Sequence, residues 1–364
     1  MLKQQKIFFD FLRFCIGSAK EIPDSLKEAD WKGLYSIAQK QALLGVLFYG
    51  IRRLPKELAP EQKLLMQWMV MAEQIRKQNI RLFQDSVNVC RNFGNEGFAN
   101  CILKGQGNAL LYPDPYMRTP GDIDIYLSGS RRKIMKYVDQ VCPNQVMRYH
   151  HVDFPVMKTA IEVHFTPSYM FCPIHNRRMQ KWFEEVMGEQ CNHRVSLPDG
   201  YGEIHVPQVS FNVIYILSHL YRHIFTEGIG LRQLLDYYYV LIRDDILLIR
   251  DRVQKELKHL GLWKFAQAVM FVMKEVFGLS EDRMIAPMDE KEGRFLLDEI
   301  MRGGNFGQYD DRMGSKVGES KIHRYFRMNL RNLRFVKHYP TEAVCEPVFR
   351  TWFAGWKFFI NRIK

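Results

Sequence analysis

The hydrophobic rhythm of the chain changes twice, and that change limits the folds open to it. From about residue 4 to residue 92, apolar residues recur three and four positions apart, through Phe8, Leu12 and Cys15 and again through Leu64, Trp68, Met71 and Ile75. This is the spacing of a buried helix face, and residues 60–92 are expected as one long helix. After the turn "NFGNEG" the rhythm shortens to the strand-length runs "FANCILKG", "DIDIYL", "VDFPVM" and "AIEVHF", separated by helical stretches near 106–112 and 130–141. From residue 208 the helical rhythm returns in "SFNVIYILSHLYRHIF" and "LRQLLDYYYVLIRDD". The expected class is α+β: an N-terminal helical region at 1–95, a small mixed sheet core at 96–207, a helical region at 208–302 packing on that core, and a linker with basic helices at 303–364.

The strand runs carry the chemistry. In "GDIDIYL", Asp122 and Asp124 are two residues apart, so on a strand they face one way while Ile123 and Ile125 face the other. "AIEVHF" repeats the arrangement, with Glu162 and His164 opposite Ile161, Val163 and Phe165. If the two strands are neighbours, three carboxylates meet. Such a cluster repels itself unless a cation neutralises it, and hard oxygen ligands favour Mg2+ or Mn2+. Divalent ions held this way suit phosphoryl transfer, because they lower the pKa of an attacking hydroxyl and stabilise a leaving pyrophosphate. Upstream, "CILKGQGNALLYPDP" offers Lys104 and a glycine turn at Gly105 and Gly107 before a helix start, a place where backbone amides can approach phosphate. Arg118, between turn and acids, is a candidate clamp on phosphate oxygens.

The run "ILKGQGNALLYPDPYMRTPGDIDIYL" resembles the nucleotidyltransferase family grouped with the DNA polymerase β superfamily: an apolar strand, a glycine turn, an Asp-x-Asp pair and a later single acid. Gly105 matches the turn, Asp122 and Asp124 the pair, and Glu162 the later acid. Gln106 stands where the superfamily more often has Ser or Gly, and Glu162 is one methylene longer than the commoner Asp. The downstream "ILSHLYRHIFTEGIGLRQLLDYYYVL" is similar to that family's helical segment, with His219, His223, Arg232 and Asp236 at its recurring polar positions. The resemblance implies a magnesium- or manganese-dependent enzyme that moves a nucleoside monophosphate from a nucleoside triphosphate to a hydroxyl acceptor. It implies Asp122, Asp124 and Glu162 as metal ligands and catalytic groups, with nucleotide contacts from Lys104, Gly105, Gln106, Arg118, His164, Arg232 and Asp236. The alternative is a non-catalytic module that keeps the fold and only binds nucleotide or RNA.

Each of these residues also has a plainer reading. His219 and His223, four apart, are buried hydrogen-bonding histidines more readily than a metal pair, and Arg232 with Asp236 makes an intrahelical ion pair at the same spacing. Cys172, His175, Cys191 and His193 form a Cys-x-x-His and a Cys-x-His that suggest zinc, although free thiols on a loop are the default expectation. Arg324, Arg327, Arg331 and Arg334 fall on one helical stripe that suits RNA or another polyanion, or simply faces water.

Composition enters as a limit. With 47% hydrophobic and 25% charged residues the chain lies far from disorder. Its net charge of +12 is concentrated between Lys316 and Lys364, where eleven Lys or Arg face three Glu. Seven scattered cysteines do not form a disulfide framework and fit a reducing, cytoplasmic setting. The first apolar stretch is interrupted by Asp10 and Arg13 and is expected as a helix, not a secretion signal. No window offers the roughly 18 uncharged apolar residues of a membrane span.

Overall fold

The structure, a computed structural model, describes residues 3–313 and 319–363. Four helices come first: α1 (Lys3–Ile16), α2 (Trp31–Lys40), α3 (Leu44–Ile51) and α4 (Gln62–Asn95). The sheet region follows with β1 (Asn100–Ile102), α5 (Gln106–Ala109), β2 (Ile123–Leu127), α6 (Arg131–Val141), β3 (His151–Asp153) and β4 (Ile161–His164). Then come α7 (Pro173–Gln190), the hairpin strands β5 (Arg194–Ser196) and β6 (Glu203–His205), and α8 (Val209–Thr226), α9 (Leu231–Leu241), α10 (Asp245–His259), α11 (Trp263–Phe277) and α12 (Glu290–Gly303). The chain closes with α13 (Lys321–Val336) and α14 (Pro340–Ile363). The class is α+β, as the change of rhythm implies. Within the segment expected as a linker, residues 314–318 lie outside the described residues.

The sheet order is β1-β2-β4-β3, with β2 and β4 parallel and both outer pairs antiparallel. Ile123, Ile125, Leu127, Val152, Ile161 and Val163 are all at most 3% exposed and form a core with α4 and α6. The acids occupy the opposite face because strand side chains alternate. A second, larger core joins α1–α3 and the first half of α4 to α8–α12, so the helical regions before and after the sheet share one interior. Burying this much apolar surface stabilises by about 25 cal/mol per Å2.

The long helix α4 belongs to both cores. Leu64, Trp68 and Ile75 enter the helical core, whereas Phe83, Val89 and Phe93 enter the sheet core. Its rise of 1.5 Å per residue makes it roughly 50 Å long. Between the two stretches sits buried Asn79, whose amide donates to the carbonyls of Tyr116 (2.9 Å) and Arg118 (2.8 Å). These bonds fasten the loop that leads into β2, and hence the aspartate pair, to the helix.

Two elements depart from the sequence reading. The segment between Cys172 and Cys191 is the helix α7, not a loop; Met179, Trp182, Phe183 and Met187 form its buried face and Pro173 occupies its first turn. The hairpin β5–β6 was not expected, since strands of three residues contain too little alternation to register. The helix expected over 106–112 shortens to the single turn α5, which contributes little dipole to anything in front of it.

Candidate active site

Strand register gathers the acids. Asp124 on β2 is the direct neighbour of Glu162 on β4, and His164 of β4 lies opposite His151 of β3. Cross-strand neighbours on one face lie about 5 Å apart at Cβ. Asp122 comes one residue before β2, two positions from Asp124, and is open to solvent at the same cavity. That cavity, about 480 Å3, is lined by Lys104, Gly105, Asp122, Asp124, Glu162 and Arg232 among others. Gly105 has φ of +57°, a left-handed value that glycine adopts without a Cβ clash, and this bend brings the backbone beside Asp122.

Asp124 is 5% exposed and fully engaged. Its Oδ2 is 3.0 Å from Lys104 Nζ, and its Oδ1 is 2.9 Å from His164 Nε2. Burial alone would raise its pKa, but Lys104 and His164 together hold the carboxyl well below the usual range. Asp122 takes the opposite course: repulsion from Asp124, then burial, then Glu162 push it up to about 6 against the pull of Lys104. Water reaching Asp122 screens part of that repulsion. Glu162 resists the upward push of burial through His164 and His151 and titrates below its ordinary value. His164 overcomes its own burial through its bonds to Asp124 and Glu162 and titrates above its ordinary value.

The other expected nucleotide contacts divide. Lys104 Nζ also lies 3.2 Å from His219 Nε2. Gln106 is 1% exposed, beneath the glycine turn and outside the cavity lining. Arg118 and Asp236 reach the cavity but bind each other: Nε and Nη2 of Arg118 donate to Asp236 at 2.8 and 2.7 Å, and the Tyr112 hydroxyl donates to the same carboxylate at 2.7 Å. The local Arg232–Asp236 pair expected on α9 therefore does not form; Arg232 stands in the cavity with its Nε unpartnered and its guanidinium 6.0 Å from the Phe306 ring.

One basic group escaped the sequence reading. Arg222 on α8 is 8% exposed, and no carboxylate among the described residues pairs with it. Its Nη2 lies 3.3 Å from His219 Nδ1 and 3.1 Å from His223 Nε2, and its guanidinium is 5.0 Å from the Tyr169 ring centroid. The signal was present in "SHLYRH", where His219, Arg222 and His223 at i, i+3 and i+4 share a helix face.

The zinc set does not assemble. Cys172 and Cys191 cap opposite ends of α7, which separates them by roughly 28 Å at 1.5 Å per residue. Cys191 is buried, and His193 Nδ1 is 2.9 Å from the Val206 carbonyl oxygen. Cys172 and His175 face Glu342 of α14, with one donor atom from each within 4.8 Å of the others. Glu342, however, has the role of a cap: one carboxylate oxygen accepts the backbone N–H groups of Phe171 (2.7 Å) and Cys172 (3.1 Å), and the other lies 2.9 Å from His175 Nδ1. Since Glu342 is 1% exposed, Glu342→Ala is expected to cost about 3 kcal/mol by stranding buried donors. An unchanged urea midpoint in that variant would refute the assignment.

The arginine stripe is also largely committed within the fold. Arg327 forms two bonds to Glu319, and Arg334 lies 3.5 Å from both Glu299 and Asp310. Arg331 is 8% exposed, with its pKa brought down to about 10 by burial and then by Arg334. Arg324 is the exposed member of the four, with Glu227 and Glu319 as its electrostatic neighbours. Two of the four are thus paired with carboxylates, while Arg324, Arg327 and Arg331 line one cavity with Glu227, Asp310 and Glu319.

All seven cysteines are free, and no helix among the described residues is long and apolar enough to cross a membrane. No curated protein and no solved structure matches the chain. A family profile described as an uncharacterised nucleotidyltransferase matches residues 27–278, from the N-terminal helices through the sheet to the end of α11. Sheet, acids, glycine turn and the helices behind them all fall inside that span, and the chain belongs to this uncharacterised nucleotidyltransferase family.

Proposed function

We propose that this chain is a cytoplasmic, divalent-metal-dependent nucleotidyltransferase that moves a nucleoside monophosphate from a nucleoside triphosphate to a hydroxyl acceptor and releases pyrophosphate. The observation that carries the reading is the pairing of Asp124 with Glu162 on adjacent parallel strands, beside Asp122 and the Gly105 bend, at an open cavity. The donor set suits a cation: Asp124 raises the pKa of Asp122 by repulsion, and a divalent ion relieves that repulsion. Asp122, Asp124 and Glu162 would hold it. Divalent ions there would supply charge neutralisation for the triphosphate and acidity for the acceptor hydroxyl.

The chain's own groups account for the rest. Glu162, ionised at neutral pH and part-exposed, is placed to accept the acceptor's proton. Arg222 and Arg232, cations in the cavity without a carboxylate bonded to them, are suited to phosphate oxygens. Lys104 holds Asp124 in place and is within reach of the same phosphates across the Gly105 turn. His164 positions both Asp124 and Glu162. Arg118 and Asp236 position the loop that carries Asp122. The rival, a binding module without chemistry, draws on the fact that both oxygens of Asp124 already have protein partners.

Incubating the protein with each labelled nucleoside triphosphate, Mg2+ or Mn2+ and a cell extract tests this directly. A labelled acceptor together with released pyrophosphate is expected; nucleotide binding with no transfer in any combination would favour the binding module. Cation affinity should also depend on pH in a defined direction. Asp122 must be ionised to ligate, so affinity at this site falls by up to about tenfold per pH unit below about 6. In the cation-free fold the same shift has the opposite sense. The folded state takes up a proton between 3.8 and about 6, so this group's contribution to stability declines as pH rises through that window. Calorimetric titration of cation binding from pH 5 to 8 reads the first effect, and thermal melts from pH 3.5 to 7 read the second.

A further inference from the structure

We propose that α14 sets the phosphate site of this chain: its Phe349 stacks on Tyr169, and Tyr169 in turn orients the guanidinium of Arg222 at the cavity. Phe349 and Tyr169 are thus positioning residues. The inference rests on the phosphate role given to Arg222 in the transferase reading, and adds the part of the chain that makes Arg222 usable.

Arg222 needs such support because its hydrogen bonds do not fix it. Among the described residues only Nη2 is engaged, 3.3 Å from His219 Nδ1 and 3.1 Å from His223 Nε2. Nε is buried without a hydrogen-bond partner. Burial, the largest cause, pushes both imidazoles below their ordinary pKa values, so at neutral pH they are uncharged and can accept. They hold the arginine without cancelling its charge. A guanidinium bonded at one nitrogen can still turn about the line from its own Cδ to that nitrogen, which leaves the direction of its other donors open. A ring packed against it closes that freedom, and the guanidinium carbon of Arg222 lies 5.0 Å from the Tyr169 centroid.

Tyr169 does not hold its place unaided. It is half-buried, in the stretch between β4 and α7 that has neither helix nor strand, and a loop ring stays put only where something packs on it. Phe349 does so, with centroids 5.1 Å apart and planes 23° from parallel. Tyr149 and His150 also approach Tyr169, at 4.7 and 5.0 Å but steeply tilted, and Tyr149 itself meets Phe349 edge-on at 5.1 Å. A second, independent contact ties the same loop to the same helix. The buried Glu342 carboxylate accepts the backbone N–H groups of Phe171 and Cys172, two and three residues after Tyr169. Phe349 follows Glu342 by seven residues, so both contacts come from one face of α14. Farther along, Phe353 and Lys357 of α14 line the cavity itself. Arg222 and Tyr169 lie inside the family match at 27–278, whereas the helix that braces them lies beyond it.

Calorimetric titration of the full chain with magnesium tripolyphosphate, which carries no base, reads the phosphate site by itself. Tyr169→Leu and Phe349→Leu should each weaken binding about tenfold, while Tyr169→Phe, which keeps the ring, should stay within about threefold of the parent. Arg222→Met should weaken it too. Adding Tyr169→Leu to Arg222→Met should then cost less than about a further twofold, because the ring acts only through the guanidinium. In transfer assays the two leucine variants should raise KM for the nucleoside triphosphate by the same factor and leave kcat within about threefold. General loosening of the fold would instead add in full to the Arg222→Met defect. Phe349→Leu keeps apolar bulk and carries the test where Tyr169→Leu does not fold. Losses that multiply in full with that of Arg222→Met, or a Phe349→Leu chain that binds tripolyphosphate as the parent does, would overturn the proposal. Coupled losses of binding in a chain that transfers no nucleotide would uphold the stack and reject the transferase reading. Transfer by the parent chain with uncoupled losses would do the reverse.

Discussion

Asp124→Asn is expected to lower nucleotidyl transfer by on the order of 10^3-fold or more while the fold persists, because the change removes charge from the most deeply buried of the three acids, the one bonded to both a lysine and a histidine. Asp124 is bonded to Lys104 and His164, is the strand partner of Glu162, and is the largest cause of the raised pKa of Asp122. Asparagine keeps the shape and an oxygen that can still accept from one neighbour, so circular dichroism should be unchanged. The electrostatics do change. With the Asp124 charge gone, Asp122 should titrate clearly below its present value of about 6, a shift that carboxyl-carbon NMR can follow in the apo-protein. A lowered Asp122 titration reports the lost charge, and an unchanged circular dichroism spectrum and melting profile separate a lost ligand from a collapsed site, which would lower the titration too. Pyrophosphate release at more than a tenth of the parent rate would defeat the role given to Asp124.

What could be read in the sequence was whatever a single strand or helix declares by itself. Ile123, Ile125, Ile161 and Val163 alternate with acids, and alternation on a strand fixes which side is buried, so the polar face was visible before its neighbours were known. The same is true of α4, where Leu64, Trp68 and Ile75 repeat at helical spacing. What depends on register between strands was hidden. His150 and His151 in "MRYHHVDF" carry no periodic signal, and they reach the acids only because β3 pairs with β4 so that His151 meets His164. Local spacing also misled. Arg232 and Asp236 sit at an ion-pair spacing, but a bidentate partner from the loop before β2 offers better geometry and wins. The Cys-x-x-His and Cys-x-His pattern drew attention from Met179, Trp182, Phe183 and Met187, whose spacing marks the helix that holds the two halves apart.

Arg118→Met is expected to destabilise the protein by about 3–5 kcal/mol, since it leaves the Asp236 carboxylate buried with only the Tyr112 hydroxyl as a bonded partner. For a chain of this size that corresponds to a fall of roughly 4–7 °C in the melting temperature. Asp236→Leu should cost a similar amount by stranding the guanidinium. The two changes together should recover most of the loss, because apolar residues replace both charges and the desolvation penalty disappears with the attraction. The double variant then decides what Arg118 does. Two of its donors are engaged by Asp236 at 2.8 and 2.7 Å, which makes it a strut between α9 and the loop bearing Asp122 and leaves little of the guanidinium for a substrate. A double variant that melts near the parent temperature should therefore keep its KM for nucleoside triphosphate within about threefold, since roughly 0.7 kcal/mol of lost binding is the most that a residue outside the phosphate contacts should show. A stable double variant whose KM rises a hundredfold would return Arg118 to the role of a phosphate clamp. In that case Asp236 would be its guide, and the phosphates would lie on the loop side of the cavity, away from Arg222.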